Sequence, residues 1–227
     1  MPAAKTDRPA PSPPATGPRV TSQSFLTDKL ANELFIAVVG PGGSGAGQAA
    51  KILKEFLETQ AVGGGTYEVH ILKASDEIKA WARINGKDLS PVAGRKTLDS
   101  VVHMQNLGDE MRLSFRDNAA VARAVMARIR AKRAAASGRP EGEIDGKPRA
   151  YIIDSLRHPA EAHLLRRVYQ DAFTLVGVVC DDGVRHGRLV RELFDFNDRG
   201  RLENRERVTA FMVRDADAPE SHGQHVV

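Results

Sequence analysis

An unbroken apolar run at residues 34–39, rich in β-branched side chains, ends at a cluster of glycines. Such a run, with no polar alternation, predicts a strand buried on both faces of a parallel sheet. Over residues 48–59 the spacing becomes helical, and Ile52, Leu53, Phe56 and Leu57 predict one stripe facing a core. Residues 67–72 read as a second strand, and 75–84 as a helix whose tryptophan, Trp81, is a packing residue. Helices are expected over 96–115 and 118–136, the second with Val121, Val125 and Ile129 at i, i+4 spacing. Glycine and proline punctuate 137–148, which predicts a loop inside one domain, because the alternation of strand and helix resumes after it. Further strands are expected at 149–154 and 173–180, with a helix at 159–169 opened by Pro159. Helices over 184–194 and 203–213 complete the pattern. Alternating units of this kind predict an α/β fold with a doubly wound parallel sheet and helices on both faces. Its ligands would bind at the carboxyl ends of the strands.

Composition changes this picture mainly at the ends of the chain. Six of the twelve prolines lie within the first 18 residues, and residues 1–22 have almost no large apolar side chain. Burial there cannot offset the entropy of ordering, so a disordered tail is expected. One nucleotide-binding domain is expected over 23–214, followed by a terminal segment at 215–227. The single cysteine, Cys180, excludes a disulfide framework and a Cys-rich zinc site, and fits a reducing cytoplasm. Its place in an apolar run predicts an inert core thiol. No apolar run approaches the roughly 20 residues of a membrane span, so no membrane partner is expected. The net charge is +4. Arg123, Arg128, Arg130, Lys132 and Arg133 cluster on the helix expected over 118–136. A charge run on a helix is ordinarily its solvated side, with phosphate binding as the alternative, and nucleic acid is accordingly a less favoured partner.

Gly40-Pro41-Gly42-Gly43-Ser44-Gly45-Ala46-Gly47 joins the first strand to its helix. Successive backbone N–H groups at a helix N-terminus make an anion site, so placement matters more than glycine count. Gly40, Gly42 and Gly45 fit a dinucleotide fingerprint, but Asp76 lies too far downstream to serve as its acidic residue. Gly40 and Gly45 also fit the P-loop spacing, with Ala46 and Gly47 where lysine and a hydroxyl residue belong. A tight structural turn with no ligand is the third reading. Lys51, one helical turn further on, is expected to face solvent.

The stretch Tyr151-Ile152-Ile153-Asp154-Ser155-Leu156-Arg157-His158-Pro159-Ala160-Glu161, with the blocks at 164–169 and 173–178, is more specific. It resembles the N-terminal P-loop-kinase-like domain of bacterial anti-phage deoxycytidylate deaminases, and more distantly deoxynucleoside monophosphate and dephospho-coenzyme A kinases. Gln105-Asn106-Leu107-Gly108-Asp109-Glu110-Met111-Arg112 is similar to the family's L-Q-x-L-G-(N/D)-E-L-R helix, and Val213-Arg214-Asp215 and Gly223-Gln224 agree with it. The resemblance implies a three-layer P-loop-NTPase-like domain, ATP or a deoxynucleotide with Mg²⁺ as ligand, and a deaminase domain or subunit as partner in antiviral defence. Deaminase chemistry itself needs a zinc-activated water held by H-x-E and P-C-x-x-C motifs. Neither motif is present: His158 and Glu161 are spaced H-x-x-E, and Cys180 has no partner cysteine. No zinc is therefore expected in this chain, which reads as the first part of a larger design.

The resemblance also implies roles for single residues. Asp154 would help position magnesium or its water, against a competing role as helix N-cap. Arg157 would reach a phosphate, against a salt bridge with Glu161 at i+4. Arg185, Arg188 and Arg191 would form a phosphate-clamping lid, against a plain exposed helix face, and Arg112 would contact the monophosphate side. Three functions stay open. The first is a regulatory module that binds a nucleotide without transferring phosphate, because the glycine amides remain while the lysine is missing. The second is an active deoxynucleoside monophosphate kinase using Lys51 or a lid arginine. The third is a nucleic-acid-binding or structural α/β protein. Association into a homo-oligomer is also left open.

Overall fold

The computed structural model describes residues 32–61, 65–140 and 143–216. The tail expected over 1–22 and residues 217–227, with Gly223 and Gln224, lie outside the described residues. Within them the elements run β1 (Glu33–Val39), α1 (Ala46–Thr59), β2 (Glu68–Lys73), α2 (Ala74–Ile84), α3 (Leu98–Phe115) and α4 (Ala120–Ser137). They continue with β3 (Arg149–Asp154), α5 (Pro159–Tyr169), β4 (Phe173–Gly177), α6 (Asp182–Leu193) and α7 (Leu202–Ala216). The sheet is all parallel, in the order β2-β3-β1-β4. The chain leaves β1 toward one edge and β3 toward the other. A crevice therefore opens above the carboxyl ends of these two neighbours, where open α/β sheets bind ligands.

Side chains of β3 divide between the two faces with the strand's period of two. Tyr151 and Ile153 pack with Phe35 and Phe173 under Val125 and Ile129 of α4 and Leu165 of α5. Ala150 and Ile152 pack with Val38 and Val69 under Ala46, Ala50 and Leu57 of α1. The result is a three-layer α/β fold. Trp81 is buried with Ile78, Leu107 and Met111 between α2 and α3, as its packing role predicts. A fourth cluster, with Leu98, Leu189, Val208 and Phe211, ties α3 to α6 and α7. Among the described residues no helix is long and apolar enough to cross a membrane.

Three expectations are corrected. The stripe predicted on α1 is only half used: Leu57 is buried, but Ile52 is 57% and Phe56 50% exposed. The helix lies over β1, β2 and β3, and among the described residues its far side is exposed. The fourth strand stops at Gly177, because Asp181 already caps α6 by accepting the Val184 N–H at 3.1 Å. Cys180 thus sits half-buried in the connection rather than in the core. On α4, Arg123, Arg128 and Arg133 pair with Asp117, Glu77 and Glu33. Arg123, Arg128, Arg130 and Lys132 are exposed, in keeping with the solvated face favoured for this run. Finally, the boundary expected between 214 and 215 falls inside α7, and Asp215 is fully buried.

Burial, with Glu33 nearby, pushes the Tyr151 phenol up to about 12, and burial pushes Tyr169 to about 12 as well. In the unfolded chain both ionise near 10, as free tyrosine does. Their contribution is therefore complete below pH 10 and is lost as pH rises through 12. Titrating tyrosinate absorbance beside circular dichroism should show these phenols ionising only as the fold is lost. Full ionisation by about pH 10 with the fold intact would contradict this.

Candidate functional site

The loop after β1 is closed by its own backbone. The Pro41 carbonyl accepts the Ser44 N–H at 3.0 Å, and the Gly45 carbonyl accepts the N–H groups of Gln48 and Ala49 at 2.9 Å, starting α1. Two glycines are demanded by this path. A Cβ on Gly40 would lie 2.6 Å from the Val178 carbonyl oxygen. Gly43 has a φ of +79°, and a Cβ there would meet the Arg185 carbonyl at 3.0 Å. Gly45 is the N-cap of α1 and brings no side chain to it. The first N–H groups of the helix, and its partial positive charge, are thus left for another acceptor.

Two of the expected cations reach the loop. Arg185 Nε donates to the Gly42 carbonyl at 3.2 Å, and Arg188 Nη1 donates to the carbonyls of Gly43 and Ser44 at 3.3 and 3.2 Å. Cationic donors on these carbonyls polarise the peptides and strengthen the loop's N–H groups as donors. Arg185 is 7% exposed and also holds Asp182, yet among the described residues its Nη2 is buried with no partner. Ser44 is 5% exposed, and its Oγ likewise lacks a partner. Leaving such a group unpaired costs about 1–3 kcal/mol, a penalty that an oxygen-rich anion would relieve. Arg191, the third of the row, is exposed and stays out of the loop.

In front of the loop a cavity of about 450 Å³ opens among the carboxyl ends of β2 and β3 and helices α2, α3, α6 and α7. Gly42 and Gly43 form part of its wall, and Lys73, Lys79 and Arg157 bring positive charge to it. Asp154, at the end of β3, also lines it and accepts the Ser155 hydroxyl at 2.8 Å. A Cβ on Gly47 would lie 3.7 Å from Asp154 Oδ2, so this carboxylate stands beside the N-terminus of α1. It is not a helix cap. His158 caps α5 instead, its Nδ1 accepting the Ala160 N–H at 3.1 Å. Among the described residues no three His, Cys, Asp or Glu side chains gather to hold a metal alone. Magnesium carried by a nucleotide would need only one or two protein carboxylates, and Asp154 is a carboxylate on the cavity wall. Ala46 is buried in the core and Lys51 is exposed, so neither brings an ammonium to the loop. The cation beside Gly45 is Arg188, whose Nη1 would lie 3.6 Å from a Cβ there.

Behind the loop runs a buried polar network. Asp215 Oδ2 accepts the Gly42 N–H at 2.5 Å, while its Oδ1 accepts from Gln105 Nε2 at 2.9 Å and Arg157 Nη1 at 2.5 Å. Arg157 was expected to reach a phosphate or to pair with Glu161. Its guanidinium instead holds Asp215, and only its backbone N–H reaches Glu161, at 2.9 Å. Glu161 is fully buried and accepts Nε and Nη2 of Arg112 at 3.1 and 2.7 Å. Arg112, 1% exposed, also donates to Asp109 at 3.0 Å. This corrects its expected ligand contact: its charge is consumed inside the domain.

Asp215 and Gln105 are the site residues to which the sequence reading assigned no role. The signal was present in α7, where Val208, Phe211 and Asp215 stand at i, i+3 and i+7, which puts a carboxylate on an apolar stripe. Lys73 and Lys79 carried no local signal, because their approach to the cavity depends on the strand order. When the chain is compared with known proteins, no protein-family model matches it and no curated protein is significantly similar, so its functional reading rests on these residues and their geometry.

Proposed function

We propose that this chain is a nucleotide-binding, regulatory P-loop-like module of a cytoplasmic anti-phage defence protein of the deoxycytidylate-deaminase type. It would hold the phosphates of ATP or a deoxynucleotide on the glycine loop without transferring them. The observation that carries nucleotide binding is the buried, unpartnered Nη2 of Arg185 beside a glycine loop that opens an uncapped helix. The lysine that would offset charge developing in transfer is replaced by Ala46, so binding is retained while stabilisation of the transition state is lost. The defence assignment, with a deaminase domain or subunit as partner, is supported by the resemblance of the blocks around Asp154, Gln105 and Asp215.

Calorimetric titration of the purified chain with ATP and the deoxynucleoside mono- and triphosphates, with and without magnesium, tests the proposal. One nucleotide should bind, and at a hundredfold excess over its dissociation constant it should add about 2.7 kcal/mol of stability. For a domain of this size that raises the melting temperature by roughly 5–10 °C. Absence of binding with an unchanged melting temperature would overturn it. The kinase reading is favoured by Arg188 beside Gly45 and Asp154 beside the start of α1. It predicts labelled phosphate passing from ATP to a deoxynucleoside monophosphate, abolished by Asp154→Asn. Our reading predicts none.

A further inference from the structure

The edge of the sheet formed by β4 is open. Among the described residues this strand pairs only with β1, and Thr174, Leu175 and Gly177 are exposed. The Val178 N–H donates to the Val39 carbonyl at 2.8 Å. Because backbone groups alternate sides along a strand, Leu175 and Gly177 turn their N–H and C=O groups outward. Edges are ordinarily protected by charge, proline or a covering element, yet residues 173–180 contain neither a charge nor a proline. Beside this edge, between β4 and α5, lies a second cavity of about 450 Å³. Val39, Leu156 and Leu175 supply its apolar surface, while Arg166 and Arg167 of α5 supply a cationic rim beside His163. All three α5 residues are exposed, and among the described residues neither arginine has an ion pair, whereas the arginine row on α4 is paired.

We infer that the open edge of β4 and this groove accept an extended segment of a partner protein, one that presents apolar and acidic side chains on the same face and adds as a fifth strand. Its main chain pairs with Leu175 and Gly177, an apolar side chain covers Leu175 and Val39, and its carboxylates meet Arg166 and Arg167. A small anion would use the rim but leave the apolar surface and the strand edge bare. A basic segment would be repelled. The inference does not depend on the nucleotide reading, since the glycine loop contributes nothing to the groove.

The test uses the whole chain and a fluorescein-labelled peptide of about six residues, with valine and glutamate alternating on one face and threonine on the other. Fluorescence anisotropy should show saturable binding. A lysine-for-glutamate peptide should bind at least roughly tenfold more weakly, and Arg166→Glu/Arg167→Glu should weaken the original peptide by a similar factor. A peptide N-methylated at alternate residues keeps its side chains but cannot pair with the edge, and it should not bind. Excess ATP should leave peptide binding unchanged. Failure of the peptide to bind would overturn the inference. So would binding that ignores charge reversal or N-methylation. Displacement by pyrophosphate would make the groove a small-anion site instead, and displacement by ATP would put the peptide on the glycine loop, overturning this inference but not the nucleotide reading.

Discussion

Arg112→Met will destabilise the domain by about 3–5 kcal/mol, the cost of leaving a buried carboxylate without its cation. Glu161 is fully buried, and apart from Arg112 its contacts are the backbone N–H groups of Arg157 and His158 at 2.9 and 3.2 Å. Methionine fills much of the arginine's volume, so most of the loss comes from the stranded charge and little from a cavity. At roughly 2–4 °C per kcal/mol for a domain of this size, the melting temperature should fall by on the order of 10 °C. Neutralising the partner should recover a large part of this, because Arg112→Met/Glu161→Gln no longer buries an unpaired charge while glutamine can still accept from the two N–H groups. A double variant as unstable as the single one would show that Arg112 matters through its packing. The consequence reaches the site, since Glu161 holds the segment from which Arg157 extends to Asp215 and the glycine loop.

Asp215→Ala will carry the second large effect, about 3 kcal/mol, because it strips one buried carboxylate from three donors on three different segments. Arg157→Ala should cost less, about 2 kcal/mol, since Asp215 then keeps Gly42 and Gln105. With Asp215 already gone, removing Arg157 as well should add little, so the double variant should be close to Asp215→Ala alone. Chemical denaturation of the four proteins measures this coupling. Fully additive losses would mean that the two side chains do not act as a unit. Asp215→Ala should also weaken nucleotide binding, because the Gly42 peptide loses the carboxylate that fixes its orientation.

The fold was largely legible because its strands obey simple periods. The stretches 34–39 of β1 and 150–153 of β3 are apolar throughout, as burial on both faces requires, and Pro159 marks the start of α5. The failures share one cause, that a local pattern does not say how far the sheet extends. Ile52 and Phe56 have the spacing of core residues, but no strand lies beneath them; Cys180 has the company of strand residues, but β4 is an edge that ends early. For the candidate site, the glycine loop was visible together with Asp154, Arg185 and Arg188, which lie at it or beside it. The carboxylates that Arg112 and Arg157 hold were not legible, because an arginine's target is a tertiary fact. These partners lie 49 and 58 residues away along the chain. Asp215 was legible in principle, as an acid on the apolar stripe of an amphipathic helix.

The most direct test of the account is to follow the backbone amide resonances of the isotopically labelled chain while the nucleotide that binds is added with magnesium. The account predicts that the largest shifts fall on the amides of Gly43, Ser44, Gly45, Ala46 and Gly47, with the Arg185 side chain responding as its free Nη2 gains an acceptor. Saturating nucleotide that leaves the loop amides unmoved, or moves only amides distant from the carboxyl ends of β1 and β3, would contradict it.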